Sequence, residues 1–564
     1  MALVAVHFDD FPADDQIGDR WRRHAECRPE SDAVIHCVAG QRPRVWKWGE
    51  LYSAATDYTA WLRASGVQPG QVCAIIIRHH PDFYPIYMGV ELAGAIPAVL
   101  AYPNARLHPE KFQQGIEGMA ARSGLNWILT ERDLEPLATG LVATGGALQG
   151  LLFPLEKTLT ATYEPYSSAP DEPCLLQHSS GTTGLQKAVV LSHRAVLGHL
   201  QRYGSAIGIA PEDRIVSWLP LYHDMGLIAA FHQSLAYGVT LIQLDPFEWA
   251  MAPYLFIEAI HDFRATLAWL PNFAYHHMAA RVRDDEIEGM RLDSIRFIVN
   301  CSEPVRADAH TKFSNRFGPS GLNPGTLGAS YAMAETTFAV TQTVPGLPAK
   351  ILDADVDALA RGHYIPATGG KVRACVSSGK LIADTSIQVI DESGEELGDD
   401  RVGELVIRSS SMFDGYRNNP EKTAEVLRDG WYKSGDFGFR HGEEYYVIGR
   451  KKDLIIVAGK NIYPEDIEDA LNSVPGVLPG RVVAFAIDDP ENGTERVAVA
   501  FESQALGTPE EPTVRRSVQM AGSAIGVTIS EIFIVPPRWL IKSSAGKPSR
   551  AANRDRLLNA NPKE

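Results

Sequence analysis

The chain has 564 residues, too many for one hydrophobic core, so several domains are expected. Hydrophobic residues make up 45% and charged residues 22%, the proportions of an ordinary soluble globular protein, which excludes disordered and fibrous classes. A formal net charge of -16 argues against nucleic acid or an anionic membrane as the main partner, so any anion must be held by a local site.

The opening MALVAVHFDDFPADD lacks the basic region and sustained apolar run of a secretory signal. From Phe83 to Tyr102 the chain is apolar, but Glu91 and two prolines interrupt it, which predicts a buried helix and then a strand, and no membrane span. Six cysteines (27, 37, 73, 174, 301 and 375) show no CxxC spacing and read as reduced core residues of a cytoplasmic protein. The His pairs 79/80 and 276/277 are adjacent and lack the i, i+4 spacing of a helical metal site.

Between Trp48 and Leu62, Leu51, Ala55, Tyr58 and Leu62 recur at helical spacing, and VCAIII after the turn GVQPGQ reads as a buried strand. A helix from about Pro81, a strand in AIPAVLAY, a helix from about Pro109 and a strand in NWILT continue the alternation. That pattern predicts parallel sheets flanked by helices, with ligands at the carboxyl ends of the strands. Residues 137–170, rich in Gly, Ala and Ser, read as a connection. From Gln177 to His193, QHSSGTTGLQKAVVLSH predicts a strand ending near His178, a loop, and a second strand running into a helix at Ser192. Clustered hydroxyls and glycines with Lys187 make a polyphosphate cradle, although such composition by itself also describes a surface turn. It is no Walker A loop, because Lys187 stands between Gln186 and Ala188. A second α/β run ends with SIRFIVNCSEP, short strands dominate about 371–448, and an α+β unit follows Arg450.

In order, the chain carries SSGTTGLQK, LPLYHDMGL, NCSEP, ASYAMAETT, GYRNNPEKT, WYKSGDFG, YYVIGRKKDLIIVAGKNIYPEDIE and IKSSAGKPSR. This ordered set, across nearly the whole length, resembles the adenylate-forming superfamily of acyl-CoA synthetases, fatty acyl-AMP ligases, peptide-synthetase adenylation domains and luciferases. The resemblance implies an α/β fold: a large domain over residues 1–450 with helix-flanked, parallel-type sheets and a β-rich subdomain, and a small mobile α+β domain over 451–564. It also implies two steps. A carboxylate attacks the α-phosphate of ATP and expels pyrophosphate, and the acyl-adenylate then passes its acyl group to a thiol. Bringing two anions together demands cations, a metal and hydrogen-bond donors.

The resemblance assigns the phosphate loop to Ser179, Ser180, Gly181, Thr182, Thr183, Gly184 and Lys187, and magnesium to Glu335 and Thr182. Tyr331 is similar to the aromatic that stacks on adenine, and Ser302 and Glu303 fall on the nucleotide side. Asp436 resembles the carboxylate that accepts the ribose hydroxyls, joined by Arg450. Lys547 resembles the mobile-domain lysine that bridges acid and α-phosphate, Lys452 sits at the hinge position, Gly459 falls near the incoming thiol, and His223 resembles the gating residue beside the acyl carboxylate. Read without the resemblance, Glu335 is a surface carboxylate, Tyr331 and His223 are core residues and Asp436 is turn chemistry. Two departures stand out: Gln186-Lys187-Ala188 for Pro-Lys-Gly, and Tyr331-Ala332 for Tyr-Gly.

LPLYHDMGL and DLIIVAGKNIYPEDIE look closest to the long-chain acyl branch, particularly fatty acyl-AMP ligases. Those carry an insertion that restrains the small domain and disfavours CoA, and the run VPGLPAKILDADVDALARGHYIPATGGK is long enough to be one. Lys452, Gly459 and Lys547 are all present for domain rotation, so CoA is the leading acceptor and a carrier-protein phosphopantetheine the runner-up. The acid pocket is expected around Trp218, His223, Trp269, Asn272, Phe273 and Cys301, without a basic residue, which predicts a hydrophobic monocarboxylic acid. Two other readings stay open: a chain specialised for the second half-reaction, and a non-catalytic nucleotide or acyl-adenylate binder, which would have little use for Lys547.

Overall fold

The computed structural model describes residues 11–12, 14–103, 117–120, 122–136, 148–158, 163–179, 187–457, 460–489, 494–542 and 548–559. Their largest sheet has nine strands, in the order Lys380–Leu381, Ala339–Gln342, Leu327–Ala332, Phe297–Asn300, Leu267–Leu270, Arg214–Ser217, Thr240–Gln243, Asp32–His36 and Arg44–Lys47. The central strands, from Leu327–Ala332 to Asp32–His36, run parallel, and the marginal ones antiparallel. Continuous apolar runs such as LAWL and FIVN are buried at every residue, as strands covered on both faces require. Because the central strands are parallel, Ser217, Leu270, Asn300 and Ala332 end along one edge. The segments LPLYHDMGL, PNF, CSEP and MAETT all begin there.

A second sheet, all parallel, orders Ile96–Val99, Val72–Ile76, Trp127–Thr130 and Gly150–Leu152. Its last strand falls where the sequence predicts only a connection, since three residues are too few to show a period. The helix Trp48–Ala64 buries Leu51, Ala55, Tyr58 and Leu62, as their spacing predicts. The apolar run is the interior helix Phe83–Leu92, buried at every position, followed by the strand Ile96–Val99. Among the described residues no helix is long and apolar enough to cross a membrane. The start of the helix expected from about Pro109 lies outside the described residues.

An antiparallel sheet of Thr385–Ile390, Gly403–Ser409, Trp431–His441 and Glu444–Arg450 forms most of the β-rich stretch. Lys380–Leu381 departs from it to close the edge of the main sheet. The candidate insertion forms a ladder of Ile351–Asp355 against Val372–Val376 with a helical turn at Val356–Ala360, capped by the Asp355 carboxylate. Tyr364 of this unit stacks on Phe439, which stacks on Tyr446, at 5.2 and 4.9 Å with nearly parallel rings. Past Arg450, the strands Val482–Asp489, Thr494–Glu502 and Ile529–Val535 pack under the helices Pro464–Asn472 and Glu511–Ala524 around their own core of Ile467, Leu471, Val499, Phe501, Val514 and Val518.

Candidate active site

The strands Pro173–Ser179 and Lys187–Ser192 pair antiparallel with Ser179 opposite Lys187, so the first strand runs one residue past its expected end. The helix His193–Ile207 then starts on the Ser192 hydroxyl, which accepts from Ala195 N, and ends at left-handed Gly208. Ser180, Gly181, Thr182, Thr183 and Gly184 of the loop lie outside the described residues, as do Gly459 and Lys547. Lys187, at the loop's exit, holds its ammonium 4.7 Å from the centre of the Tyr416 ring. Burial lowers its pKa, and the Glu335 carboxylate opposes that shift. Tyr416 reaches this point because Gly415–Tyr416 pairs with Val189 and Val190 as a third strand on the hairpin. Its phenol donates to Glu335 Oε1 at 2.7 Å, and the Glu335 carbonyl accepts from Phe413 N at 2.9 Å. Lys187, Tyr416 and buried Glu335 are therefore one cluster.

Strand register builds the second cluster. Pairing of Trp431–His441 with Glu444–Arg450 sets Asp436 opposite Arg450, whose Nε lies 3.2 Å from Asp436 Oδ1. Tyr331, at the carboxyl end of its strand, donates its phenol to Asp436 Oδ2 at 2.6 Å. Ser434 fixes the backbone by accepting from Asp436 N at 3.0 Å. The carboxylate raises the Arg450 pKa, and burial, with Asp436 beside it, pushes the Tyr331 phenol well above its usual range. Lys452, two residues on, has its pKa lowered by burial and by Arg450.

The motifs after the strand ends also meet. Gln177 donates to Tyr222 O at 3.1 Å, tying the loop's first strand to YHDMG, where the Tyr222 and His223 rings lie 4.8 Å apart. Gly226 is required there, because a Cβ would stand 2.4 Å from Pro220 O. A π-helix follows at Met225–His232, and Met225 Sδ lies 3.0 Å from Cys301 Sγ and 3.8 Å from Ser302 Oγ. Ser302 and Thr337 both adopt left-handed backbones, at φ 69° and 67°. Strain of this kind gathers where a site imposes geometry.

Trp218 lies flat on Trp249 at 3.5 Å, with Phe273 edge-on to both at 6.1 Å. Glu303 accepts from Phe273 N at 3.1 Å, and Asn272 Oδ1 accepts from Asn300 and from Arg306 N, so these two side chains are occupied in pinning the loop ends. Trp269 is buried and donates to Tyr203, which donates to Gln342. The structure thus joins Trp218 with Phe273, and Cys301 with Ser302, and sets Trp269 in a separate polar relay. Sequence reasoning missed Tyr416, Trp249, Ser434 and Gln177. Tyr416 and Ser434 lie inside quoted motifs, but only strand pairing brings them to Glu335 and Asp436.

A carboxylate–guanidinium pair beside a buried tyrosine, next to a lysine at the mouth of a Ser/Thr/Gly loop, is a nucleotide site by its chemistry, and the model of the AMP-binding enzymes matches residues 21–417. The chain belongs to the AMP-binding enzyme family. It is 31% identical over 544 residues to a Mycobacterium tuberculosis protein provisionally named a long-chain-fatty-acid–AMP ligase, FadD30, with 90% of this chain and 91% of that protein covered. A Caulobacter vibrioides protein whose name assigns it provisionally to the acyl-CoA synthetases is 29% identical, with 97% and 95% covered. A solved structure from work on fatty acyl-adenylate ligases of E. coli and L. pneumophila superposes with a TM-score of 0.90 at 24% identity, over 98% of both chains. This AMP-binding enzyme is an acyl-adenylate-forming ligase of the expected α/β fold.

Its two departures from the family pattern cause no backbone strain. Ala188 is buried in a strand and packs with the second sheet's core, and neither Ala188 nor Ala332 has a positive φ. Tyr416→Phe deletes one hydrogen bond to a buried carboxylate while keeping the ring under Lys187. ATP–pyrophosphate exchange is expected to fall about 10-fold, the loss of roughly 1.5 kcal/mol, with the melting temperature nearly unchanged. An unaltered exchange rate would make the Tyr416–Glu335 contact incidental.

Proposed function

We propose that this ligase activates a long, apolar monocarboxylic acid with Mg-ATP and delivers the acyl group to the phosphopantetheine thiol of an acyl carrier protein in the cytoplasm. Lys187 and the loop before it take the β and γ phosphates. Glu335, an oxygen ligand held by Tyr416, suits Mg2+, which when bound neutralises phosphate charge. Tyr331 takes the adenine face, and the Asp436–Arg450 pair takes the ribose. His223, beside the loop's first strand, takes the acyl carboxylate side. Lys547 closes on the α-phosphate, Lys452 is the pivot, and Gly459 lines the thiol path. The names of the relatives support a fatty acid as substrate, and the Trp218–Trp249–Phe273 stack supplies an apolar wall. None of the six cysteines forms a disulfide, consistent with a reducing compartment.

The observation that carries the acceptor reading is the insertion's grip on the small domain. Arg373 lays its guanidinium 4.7 Å over the Tyr463 ring, reaches Asp466 at 3.0 Å and donates to Ile448 O at 2.8 Å. Asp357 faces Lys460 at 3.8 Å, and the Lys371 ammonium abuts Gly526. The sequence alone leans to CoA; these ties reverse that order, because an acceptor that needs a freely turning small domain is the one they disfavour. Purified protein with Mg-ATP and apolar acids is expected to accumulate acyl-adenylate, acylate a phosphopantetheinylated carrier, and give only traces of acyl-CoA by mass spectrometry. Acyl-CoA as the main product would restore the CoA reading. Better turnover of dicarboxylic or amino acids would sink the apolar substrate.

A further inference from the structure

The hairpin that carries the phosphate loop is bracketed by a second cluster of side chains, which adenylate chemistry does not use. Glu91 lies near the end of the interior helix Phe83–Leu92, Cys174 begins the first hairpin strand, and His193 opens the helix after the second. Cys174 Sγ donates to Glu91 Oε1 at 3.2 Å, and His193 Nδ1 lies 3.7 Å from the same oxygen. All three are buried, at 6% exposure or less, and one donor atom from each lies within 4.8 Å of the others. Glu91 Oε2 and His193 Nδ1 have no hydrogen-bond partner, and neither does Nδ1 of neighbouring His232, whose Nε2 is engaged by the Tyr87 phenol. Buried polar atoms are nearly always satisfied, so several orphans gathered in one place mark a ligand.

We propose that Glu91, Cys174 and His193 bind a divalent transition-metal ion of the zinc class. Sulfur, imidazole nitrogen and carboxylate oxygen are the donor set of Zn2+, whereas sulfur has no place in a calcium or magnesium site. Bonds of about 2.3 Å to sulfur and 2.0 Å to nitrogen or oxygen set tetrahedral ligands roughly 3.3–3.5 Å apart. The observed separations of 3.2 and 3.7 Å bracket that spacing. Charge also balances: a thiolate and a carboxylate cancel a dication, and the protons they give up on binding pass to solvent. The ion fastens the interior helix to both roots of the hairpin, fixing the direction in which the loop leaves Ser179 and returns to Lys187.

Untagged protein from zinc-supplemented medium is expected to retain about one zinc per chain after desalting, by elemental mass spectrometry. The metal-stripped chain reloaded with Co2+ should show a thiolate-to-cobalt charge-transfer band. Cys174→Ala should lose both signals, and its melting temperature should no longer respond to a chelator. Zinc far below stoichiometric in the wild type, together with no cobalt–thiolate band, overturns the proposal and leaves the cluster to a buried water. Equal zinc in Cys174→Ala and wild type overturns it as well, by placing the metal elsewhere.

Discussion

Replacing Asp436 by Ala is expected to lower the ATP–pyrophosphate exchange rate by about 1000-fold at subsaturating ATP, a loss of roughly 4 kcal/mol. Its two oxygens are the structure's acceptors for Arg450 and Tyr331, so deletion removes the proposed ribose acceptor and unpairs two polar groups at once. The Tyr331 phenol is buried and cannot turn to water without moving its ring off the proposed adenine face. Asp436→Asn keeps the shape and one acceptor oxygen, so it should retain more activity than Ala, with the loss concentrated in KM for ATP. Both variants are to be measured by exchange kinetics and thermal unfolding. A lower melting temperature with an unchanged KM for ATP would make the Asp436–Arg450 pair a structural bridge and nothing more.

What could be read from the sequence divides along physical lines. Elements with a strong period were legible: the helix Trp48–Ala64 by its apolar stripe, and the strand VCAII by its unbroken burial. The residues of the nucleotide site were legible one by one, because each lies in a motif whose chemistry is local. Their partners were not. Asp436 meets Arg450 through antiparallel register, Tyr331 meets Asp436 across 105 positions, and Tyr416 meets Glu335 across 81. Such meetings depend on how sheets are ordered, which no single stretch encodes. The same limit hid Gly150–Leu152, which becomes a strand only because Trp127–Thr130 offers it an edge. It also hid the role of the insertion, whose length was evident but whose grip on Tyr463 and Asp466 exists only in three dimensions.

Cutting that grip is the second large effect expected. Arg373→Ala should raise the rate of acyl-CoA formation about 10- to 100-fold while acyl-adenylate formation changes less than 2-fold, because the side chain bears on how the small domain turns and on none of the groups around ATP. Truncating a largely buried ionic anchor typically costs about 3 kcal/mol, of which a part appears as a shift toward rotated arrangements, and each 1.4 kcal/mol shifts a population ten-fold. Arg306 adds a parallel tie, with Asp469 at 2.7 Å and Glu465 O at 2.7 Å, so one substitution should loosen the domain without freeing it, and Arg306→Ala on top should add to the gain. Arg373→Lys separates charge from shape. A lysine can still face Asp466, but it lacks the planar fork that spans Asp466, the Tyr463 ring and Ile448 O together, so its gain should be intermediate. If acyl-CoA formation stays flat while the melting temperature falls, the hairpin is a brace for the fold, and acceptor choice must be sought in the thiol path near Gly459.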